Sequence, residues 1–336
     1  MDNKLTQYFK RISKKTESYL ILFLIFYILL MSFVSDSFLT LINFFDLGKN
    51  ASGMAILALG AFVVLLSGGI DLSFTAIAVS GQYISAKILL SVGVDHLLFA
   101  FALSCSIGIF LGFINGYLIS RFKLQTLITT LGTLSVFHGA LLTIFGTAPI
   151  NASQLPQCII EFGKATIFRI VREDGSSYGL SVFVLFVIGV VILTWFILRF
   201  TMLGRGIYVI GGNEEAARRT GFNVDSIKLF IYSYVGFLAG IMGVINGALI
   251  RFIDPTEIVG REINVIAAVV LGGASITGGK GSILGTLLGV FIISILNDNL
   301  VLIGLSSFWQ RFFVGVIILA GAILTAVQSE EKKLIR

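Results

Sequence analysis

Charged side chains are scarce in this chain, so water cannot be its main solvent. Aspartate, glutamate, lysine and arginine make up 12% of the 336 residues, whereas 56% are hydrophobic and the mean hydropathy is +0.98. A soluble globular domain carries about a quarter of its residues as charges. A hydrocarbon core about 30 Å thick takes roughly 20 apolar residues per helix. The composition predicts an all-α membrane protein, a polytopic bundle of about ten transmembrane helices forming one domain over residues 1–336.

Histidine and cysteine are also rare, which limits the chemistry open to the chain. The two histidines, His96 and His138, provide no arrangement of nucleophile, base and acid, so we predict no catalytic residue and disfavour a membrane enzyme. Cys105 lies in an apolar run and Cys158 in a polar loop, and no metal-ligand spacing is present. We therefore predict neither a disulfide nor a metal site.

Carboxylates deep within the apolar runs are missing as well. An ion-coupled secondary transporter needs ionisable residues inside its bundle. Here the acidic residues sit at the ends of the runs or in loops, and Asp298, near the outer end of the ninth run, is the exception to weigh. Ion-coupled transport is therefore the weaker alternative, and the sequence leaves it open.

Ten apolar runs are read as membrane spans. The eighth is too short to cross the membrane unaided and ends in a glycine-rich stretch, so we expect one broken or re-entrant segment there. The runs cover residues 19–38, 51–67, 73–91, 97–120, 124–145, 180–200, 227–250, 263–274, 283–302 and 308–327.

The distribution of lysine and arginine predicts the orientation. Most of the 24 cations fall on one side of the bundle if residues 1–18 are cytoplasmic, as the positive-inside rule requires. No small-residue cleavage site follows this basic segment, so we expect an uncleaved first helix and two cytoplasmic termini. The polar loop 147–177 is then external and suits a lid or a docking surface, whereas loop 201–226 is cytoplasmic.

Glycines mark the expected helix breaks. Small residues at four-residue spacing, as at Gly112 and Gly116 or at Gly281, Gly285 and Gly289, predict close helix packing. Paired glycines at the end of an apolar run instead interrupt a helix, and these are Gly68, Gly69, Gly272, Gly273, Gly278 and Gly279.

The segment GGKGS at 278–282 does not form a nucleotide site. A phosphate-binding loop has the pattern G-x-x-x-x-G-K-[ST], and Gly281 stands where the hydroxyl residue is required. If transport is driven by ATP, a separate subunit must hydrolyse it.

Several segments occur together in the order typical of one transporter family. They are SGGIDLS at 67–73, GFINGYLI at 112–119, ITTLGTLS at 128–135, YVIGGNEEAARRTGF at 208–222 and INVIAAVVLGGASITGGKGSILGTLLG at 263–289. With them the chain resembles the permease subunits of bacterial ABC importers of the ribose, galactose and galactofuranose branch, over nearly its whole length. It departs from that pattern at His138, where the family commonly has arginine, and its coupling motif lacks the Leu-Pro ending.

The resemblance implies a function and a set of partners. The chain would be the permease of an ATP-driven importer in the bacterial cytoplasmic membrane, moving a pentose or hexose, with galactofuranose among the candidates, by alternating access. A permease for a nucleoside or another small polar solute is the alternative. The implied partners are ABC ATPase subunits holding ATP and Mg²⁺, a second permease subunit, identical or paralogous, with the substrate path between the two, an extracytoplasmic sugar-binding protein and membrane lipid. No nucleic acid and no cofactor in this chain are expected.

The resemblance also assigns a coupling segment within the cytoplasmic loop. This segment is similar to the EAA loop, a helix and glycine turn that docks into a groove on the ATPase. The residues assigned to it are Asn213, Glu214, Glu215, Ala216, Ala217, Arg218 and Gly221.

Polar residues within the spans are candidates for the substrate path, because burying them in lipid costs free energy. A hydrogen bond between helices is the alternative role for each polar member. Phe137 is included because an aromatic ring can stack on a sugar face. The candidates are Gln82, Asn115, Thr129, Thr130, Ser135, Phe137, His138, Asn246 and Asn264.

Overall fold

Helices make up most of the protein. The computed structural model describes residues 16–34, 38–171 and 177–302, together with residues 309, 312, 315 and 316. Its elements, in chain order, are α1 (Thr16–Val34), α2 (Leu41–Leu66), α3 (Phe74–Val92), α4 (Leu97–Phe122), α5 (Thr126–Phe145), α6 (Gln157–Lys164), β1 (Ile170–Val171), β2 (Ser177–Tyr178), α7 (Phe183–Phe200), α8 (Met202–Gly212), α9 (Glu214–Arg219), α10 (Val224–Ile250), α11 (Glu262–Leu271) and α12 (Ile283–Leu302).

Seven of the described helices, α1 to α5, α7 and α10, are long and apolar enough to cross a membrane. Two shorter apolar stretches lie in α11 and α12. The predicted class, an all-α polytopic membrane protein, is confirmed. The predicted tenth span, residues 308–327, and the basic segment before residue 16 lie outside the described ranges.

The predicted start of the second span is wrong by ten residues. We expected it at Ala51, but α2 begins at Leu41 because Thr40 caps it, its side-chain oxygen accepting a hydrogen bond from the N–H of Asn43 at 3.3 Å. Polar residues in the first turns of α2, among them Asp46, interrupt the apolar run, so hydropathy did not indicate this start. Asp46 is exposed rather than packed in the core, so the helix tolerates it.

The bundle has a buried centre and an exposed periphery. Most residues of α2, α3 and α10 are buried, whereas few residues of α1, α4, α5 and α7 are. In a membrane protein such exposed apolar surface faces lipid or another subunit. The centre therefore consists of three helices, and α11 and α12 pack against one of them, α2.

Helices α4 and α10 meet along a seam of glycines. A Cβ on Gly112 would overlap the carbonyl oxygen of Tyr232, and a Cβ on Gly236 would lie 2.7 Å from the carbonyl carbon of Gly108. Ser104 adds a hydrogen bond across the same seam to the carbonyl oxygen of Gly240, at 2.8 Å. Small residues spaced by four thus let the two main chains touch, as the spacing predicted for α4.

The two long loops carry more structure than the sequence indicated. Loop 147–177 contains helix α6 and strand β1, which pairs antiparallel with β2 so that Ile170 lies opposite Tyr178. Loop 201–226 contains α8 before the expected short helix, α9. Thr201 caps α8 by accepting a hydrogen bond from the N–H of Gly204 at 3.1 Å.

Candidate functional site

The residues assigned to the coupling segment form a short capped helix, α9. The Oδ1 of Asn213 accepts a hydrogen bond from the N–H of Ala216 at 2.9 Å. Acidic residues occupy the first turn and basic residues the last, the order that the helix macrodipole favours. Gly221 follows with φ +88°, a left-handed conformation that glycine adopts without a Cβ clash. Local sequence alone therefore specifies this helix.

The two faces of α9 differ in their contacts. Glu214 accepts hydrogen bonds from Lys228 at 2.7 Å and Arg218 at 3.3 Å, which fixes the helix to the start of α10. Partial burial acts to raise the pKa of Glu214, but Lys228 and Arg218 outweigh it and hold that pKa below its ordinary value. Glu215 and Arg219 pair on the outer face, with side chains 74% and 77% exposed. That outer face is available to a partner.

The end of α8 contacts two loops through main-chain atoms. One loop follows α2, and the other follows α11. A Cβ on Gly211 would overlap the carbonyl oxygen of Leu66 and lie 2.5 Å from the nitrogen of Gly279. A Cβ on Gly278 would lie 2.6 Å from the oxygen of Gly211 and 2.8 Å from the Cα of Gly68. The N–H of Gly279 donates to the oxygen of Leu66 at 2.9 Å. We call this meeting point of Leu66, Gly68, Gly211, Gly278 and Gly279 the glycine junction.

The first break, residues 67–73, runs between α2 and α3 and depends on α5 for its hydrogen bonds. Thr126 Oγ1 accepts from the N–H of Ile70 at 3.1 Å. Thr130 Oγ1 accepts from the N–H of Leu72 at 3.2 Å and donates to the oxygen of Ile70 at 3.2 Å. Main-chain groups at membrane depth need such partners within the protein. Thr130, a candidate path residue, thus braces the break.

A second group of side chains fixes the start of α3. Asp71 Oδ1 accepts from both the N–H and the hydroxyl of Ser73, at 2.7 and 2.6 Å. Asn115, another candidate path residue, donates from Nδ2 to the Ser73 hydroxyl at 2.7 Å. The contact ties α4 to the first residue before α3.

We predict that Thr130→Val destabilises the protein far more than Thr129→Val does. Valine keeps the shape of threonine but leaves the N–H of Leu72 without its partner, and a buried unpaired group costs about 1–3 kcal/mol. Thr129, its neighbour, bonds only to the oxygen of Gln125 at the start of its own helix. Thermal unfolding of the two purified variants in detergent measures the difference. Equal melting temperatures would contradict the bracing role of Thr130.

The segment before α11, residues 251–261, contacts α5 and the loop that follows α5. Ile253 pairs with Ile150 in a short bridge, and Pro255 accepts a hydrogen bond from Nε2 of His138 at 3.1 Å. Glu262, the first residue of α11, then accepts a hydrogen bond from the hydroxyl of Thr75, near the start of α3, at 3.0 Å. Helix α11 therefore begins beside the start of α3, directly after the first break. It ends at Leu271, before the glycine-rich segment 272–282.

A cavity of about 1140 Å³ lies above the start of α11, among residues of α2, α10, α11 and α12. It lies near the last turns of α10, whereas α9 packs beside the first turn, and a helix of 27 residues is about 40 Å long. The cavity and α9 are thus at opposite ends of the bundle. Polar and charged residues on its wall include Asn50, Asn246, Glu257, Arg261, Asn264 and Asp298.

The structure brings only two of the candidate path residues into this cavity, Asn246 and Asn264. Gln82 is buried in α3 against α10, near Gly243 and Gly247. His138 contacts the 251–261 segment through Pro255.

The remaining candidates lie apart from the cavity. Asn115 and Thr130 brace the first break, as described above. Thr129 and Ser135 bond to main-chain oxygens one turn earlier, at 2.9 and 3.3 Å. Phe137 is a buried core residue of α5.

Three contributors to these sites were not singled out from the sequence. Thr126 braces Ile70, Glu262 joins the starts of α3 and α11, and Asn50 lines the cavity. A threonine-rich TLITT pattern opposite a broken segment could have pointed to Thr126. Nothing local distinguishes Asn50 or Glu262 from polar residues at ordinary span ends.

Comparison with known proteins gives the family. A family model described as branched-chain amino acid transport system / permease component matches residues 44–322. The chain belongs to this permease family. The permease is also 36% identical to a ribose import permease of Escherichia coli K12 over 299 residues, covering 88% of this chain and 89% of that protein. No solved structure matches it significantly.

Other relatives of the permease extend the likeness. A ribose import permease of Bacillus subtilis 168 is 36% identical over 322 residues, 96% of each chain. A D-allose transport system permease of Escherichia coli K12 is 31% identical over 295 residues, 88% of this chain and 86% of that protein. The resemblance inferred from the sequence segments is confirmed, and the permease is a transport component in the membrane rather than a catalytic one.

Proposed function

We propose that this chain is the permease of an ATP-driven importer that carries a monosaccharide into the cytoplasm by alternating access. The observation that carries the proposal is the end-to-end likeness to ribose import permeases, which reaches 96% of the chain. Proteins that are 36% identical over such a length share their fold. Their substrate depends on the residues of the binding site. The D-allose relative is a second protein named for a sugar.

Subunits outside this chain supply the energy and the sugar. ATPase subunits holding ATP and Mg²⁺ dock on the outer face of α9, where Glu215 and Arg219 are exposed. A second permease subunit and an extracytoplasmic sugar-binding protein complete the importer. Both termini and α9 face the cytoplasm, and the cavity near the last turns of α10 faces outward, in agreement with the positive-inside rule.

The test is uptake by vesicles that contain the purified permease with and without its cognate ATPase and sugar-binding protein. We expect accumulation of radiolabelled ribose, allose or a related sugar only when the complete importer and ATP are present. Accumulation by the permease alone under an ion gradient would establish the secondary-transport alternative. Uptake of a nucleoside or an amino acid in place of every sugar would refute the substrate class.

In the same assay, Glu215→Ala should weaken retention of the ATPase by the permease and reduce uptake. The side chain is largely exposed and alanine favours helix, so the fold of α9 is preserved. Co-purification of the ATPase measures docking directly. Glu161→Ala, on α6 at the other end of the bundle, is the matched control and should retain the ATPase fully. If both variants retain it equally, α9 is not the docking helix.

A further inference from the structure

We propose that residues 251–261, which join α10 to α11, act as a hinged strap that detaches from the loop after α5 when the importer changes between its inward-facing and outward-facing states. We call this segment the strap. The inference rests on the proposed function and adds the segment that moves and the contact that breaks. Its support comes from two backbone hinges, few outside contacts, an open space beside the segment and its connection to the glycine junction.

A backbone conformation suited to a hinge is present at each end of the strap. Arg251, directly after α10, has φ +54°, in the left-handed region that residues other than glycine rarely adopt. Gly260, near the start of α11, has φ +99°. Hinge motions are absorbed by a few residues in loops or at the ends of elements, through changes in φ and ψ. The strap therefore has a place to bend at both ends.

Few polar contacts hold the strap to the rest of the protein. The main chains of Ile253 and Ile150 exchange two hydrogen bonds, at 2.9 and 3.0 Å, in an isolated antiparallel bridge. Nε2 of His138 bonds to the oxygen of Pro255 at 3.1 Å. Among the residues that the structure describes, every other side-chain hydrogen bond of the strap stays within it or reaches the first residue of α11. Opening the strap thus breaks the bridge and one side-chain bond.

The cavity gives the strap room to move. The second half of the strap, from Glu257 to Arg261, forms part of the wall of the cavity of about 1140 Å³. A close-packed interior has few voids and holds its segments in one position. The strap instead borders open space on one side, so it can shift without displacing packed side chains there. Ile253 and Ile258 are buried, so this structure shows the closed position.

Helix α11 connects the strap to the glycine junction. It begins directly after the strap and has 10 residues, which is about 15 Å of helix. Gly278 and Gly279, in the segment that follows α11, contact Gly211 near the cap of α9. A rigid element in contact at both ends can carry a displacement between them. Under the proposed docking of the ATPase on α9, a movement of α9 would reach the strap through one short helix.

A disulfide across the bridge tests whether the strap opens. Ile150→Cys and Ile253→Cys are combined in a chain carrying Cys105→Ala and Cys158→Ala, and the complete importer is oxidised in vesicles. Opposed residues of an antiparallel pair have Cα atoms about 4.5–5.5 Å apart, within the range that a disulfide needs. Oxidation should abolish uptake of radiolabelled ribose or allose, whichever the unmodified importer accumulates. A reductant should restore it.

A second isolated bridge, between Thr166 and Ser181, provides the matched control. It joins the residues after α6 to those before α7 and lies outside the strap. Thr166→Cys with Ser181→Cys, in the same background, should transport equally when oxidised and when reduced. If the oxidised pair at positions 150 and 253 transports as well as this control, with cross-linking complete in both, the bridge does not open and the proposal is overturned.

Distances between spin labels test the motion without relying on transport by the cysteine variants. One label is attached to Thr256→Cys, at an exposed position of the strap, and the other to Ile144→Cys, exposed near the end of α5. Their distance should shift by several ångströms between the nucleotide-free and ATP-bound importer. The control pair, Val92→Cys with Ile144→Cys, joins exposed positions near the ends of α3 and α5 and should not shift.

An unchanged distance from position 256, in an importer that accumulates the sugar, would overturn the strap and leave the proposed function intact. An equal shift in both labelled pairs would show a motion of α5 and would also refute the strap. An unmodified importer that accumulates no monosaccharide would overturn both proposals.

Discussion

Gly211→Ala is expected to reduce ATP-driven uptake by about tenfold or more, which corresponds to roughly 1.4 kcal/mol. The substitution adds one methyl group at the glycine junction. That group would overlap the oxygen of Leu66 and lie 2.5 Å from the nitrogen of Gly279, so the end of α8 must move away from both loops. The obstacles are main-chain atoms, which cannot rotate aside as a side chain can.

The reason for a functional effect is the position of Gly211 in the chain. It lies two residues before Asn213, which caps α9, and it touches the loops that follow α2 and α11. Under the proposed docking of the ATPase on α9, a displacement of α9 would reach both broken segments through the direct contacts of Gly211. Direct main-chain contact of this kind can transmit a displacement without a long chain of side chains.

Gly212→Ala is the matched control. A Cβ at Gly212 meets no atom of the described residues within 4 Å, and neither glycine has a positive φ. Both substitutions improve helix propensity by about 1 kcal/mol, so propensity cannot explain a difference between them. Uptake, ATP hydrolysis and the amount of permease in the membrane are measured for both variants. We expect Gly211→Ala to keep ATP hydrolysis while uptake falls, and equal uptake by the two variants would contradict the coupling role of the junction.

These two glycines also show what sequence can and cannot predict. They are adjacent at the end of α8, and no periodicity or composition separates them. The contact that distinguishes them joins residues 66, 211 and 279, which are far apart in the chain. A single sequence contains no signal for such a pairing, because it depends on how the ends of α2 and α8 pack against the segment that follows α11.

Elements specified by short-range interactions were predictable. The start predicted for the ninth span, Ile283, coincides with the start of α12, since a continuous apolar run follows a polar, glycine-rich stretch. Helix α9 was expected from the likeness of its segment to the EAA loop, and the cap and charge order that stabilise it lie within a few residues. A short α11 was expected because the eighth apolar run is short and is followed by glycines. By contrast, the ten-residue extension of α2 was missed, because exposed polar residues such as Asp46 break the apolar run without breaking the helix.

The cavity shows the same limit for the candidate site. Hydropathy selected polar residues within the spans, and Asn246 and Asn264 were among them. It could not separate these from Thr129 or Ser135, whose hydroxyls bond main-chain oxygens one turn earlier. The separation requires knowing which helices surround the cavity, and residues of α2, α10 and α11 come together there only in the folded bundle. Sequence thus predicts the residue types of a site, and the fold selects its members.

The seam between α4 and α10 leads to the second large effect, in which Gly236→Ala is expected to prevent stable folding in the membrane. A Cβ there would overlap the oxygen of Gly108 and approach its carbonyl carbon to 2.7 Å. In lipid the two helices are not driven together by water, and their association depends on close packing of this kind. Separation would also weaken the Ser104 hydrogen bond to Gly240, which spans the same seam at 2.8 Å.

The amount of permease in the membrane and its melting temperature in detergent measure this effect. A loss of about 1–2 kcal/mol already changes cellular abundance several-fold, and overpacking against main chain should exceed it. Gly132→Ala in α5 is the matched control, because within the part of the chain that the structure describes a Cβ there meets nothing within 4 Å, and the residue has no positive φ. It makes the same change in a helix of the same bundle, and it should accumulate normally. If Gly236→Ala accumulates and melts as Gly132→Ala does, the contact of the two main chains is not what holds α4 to α10.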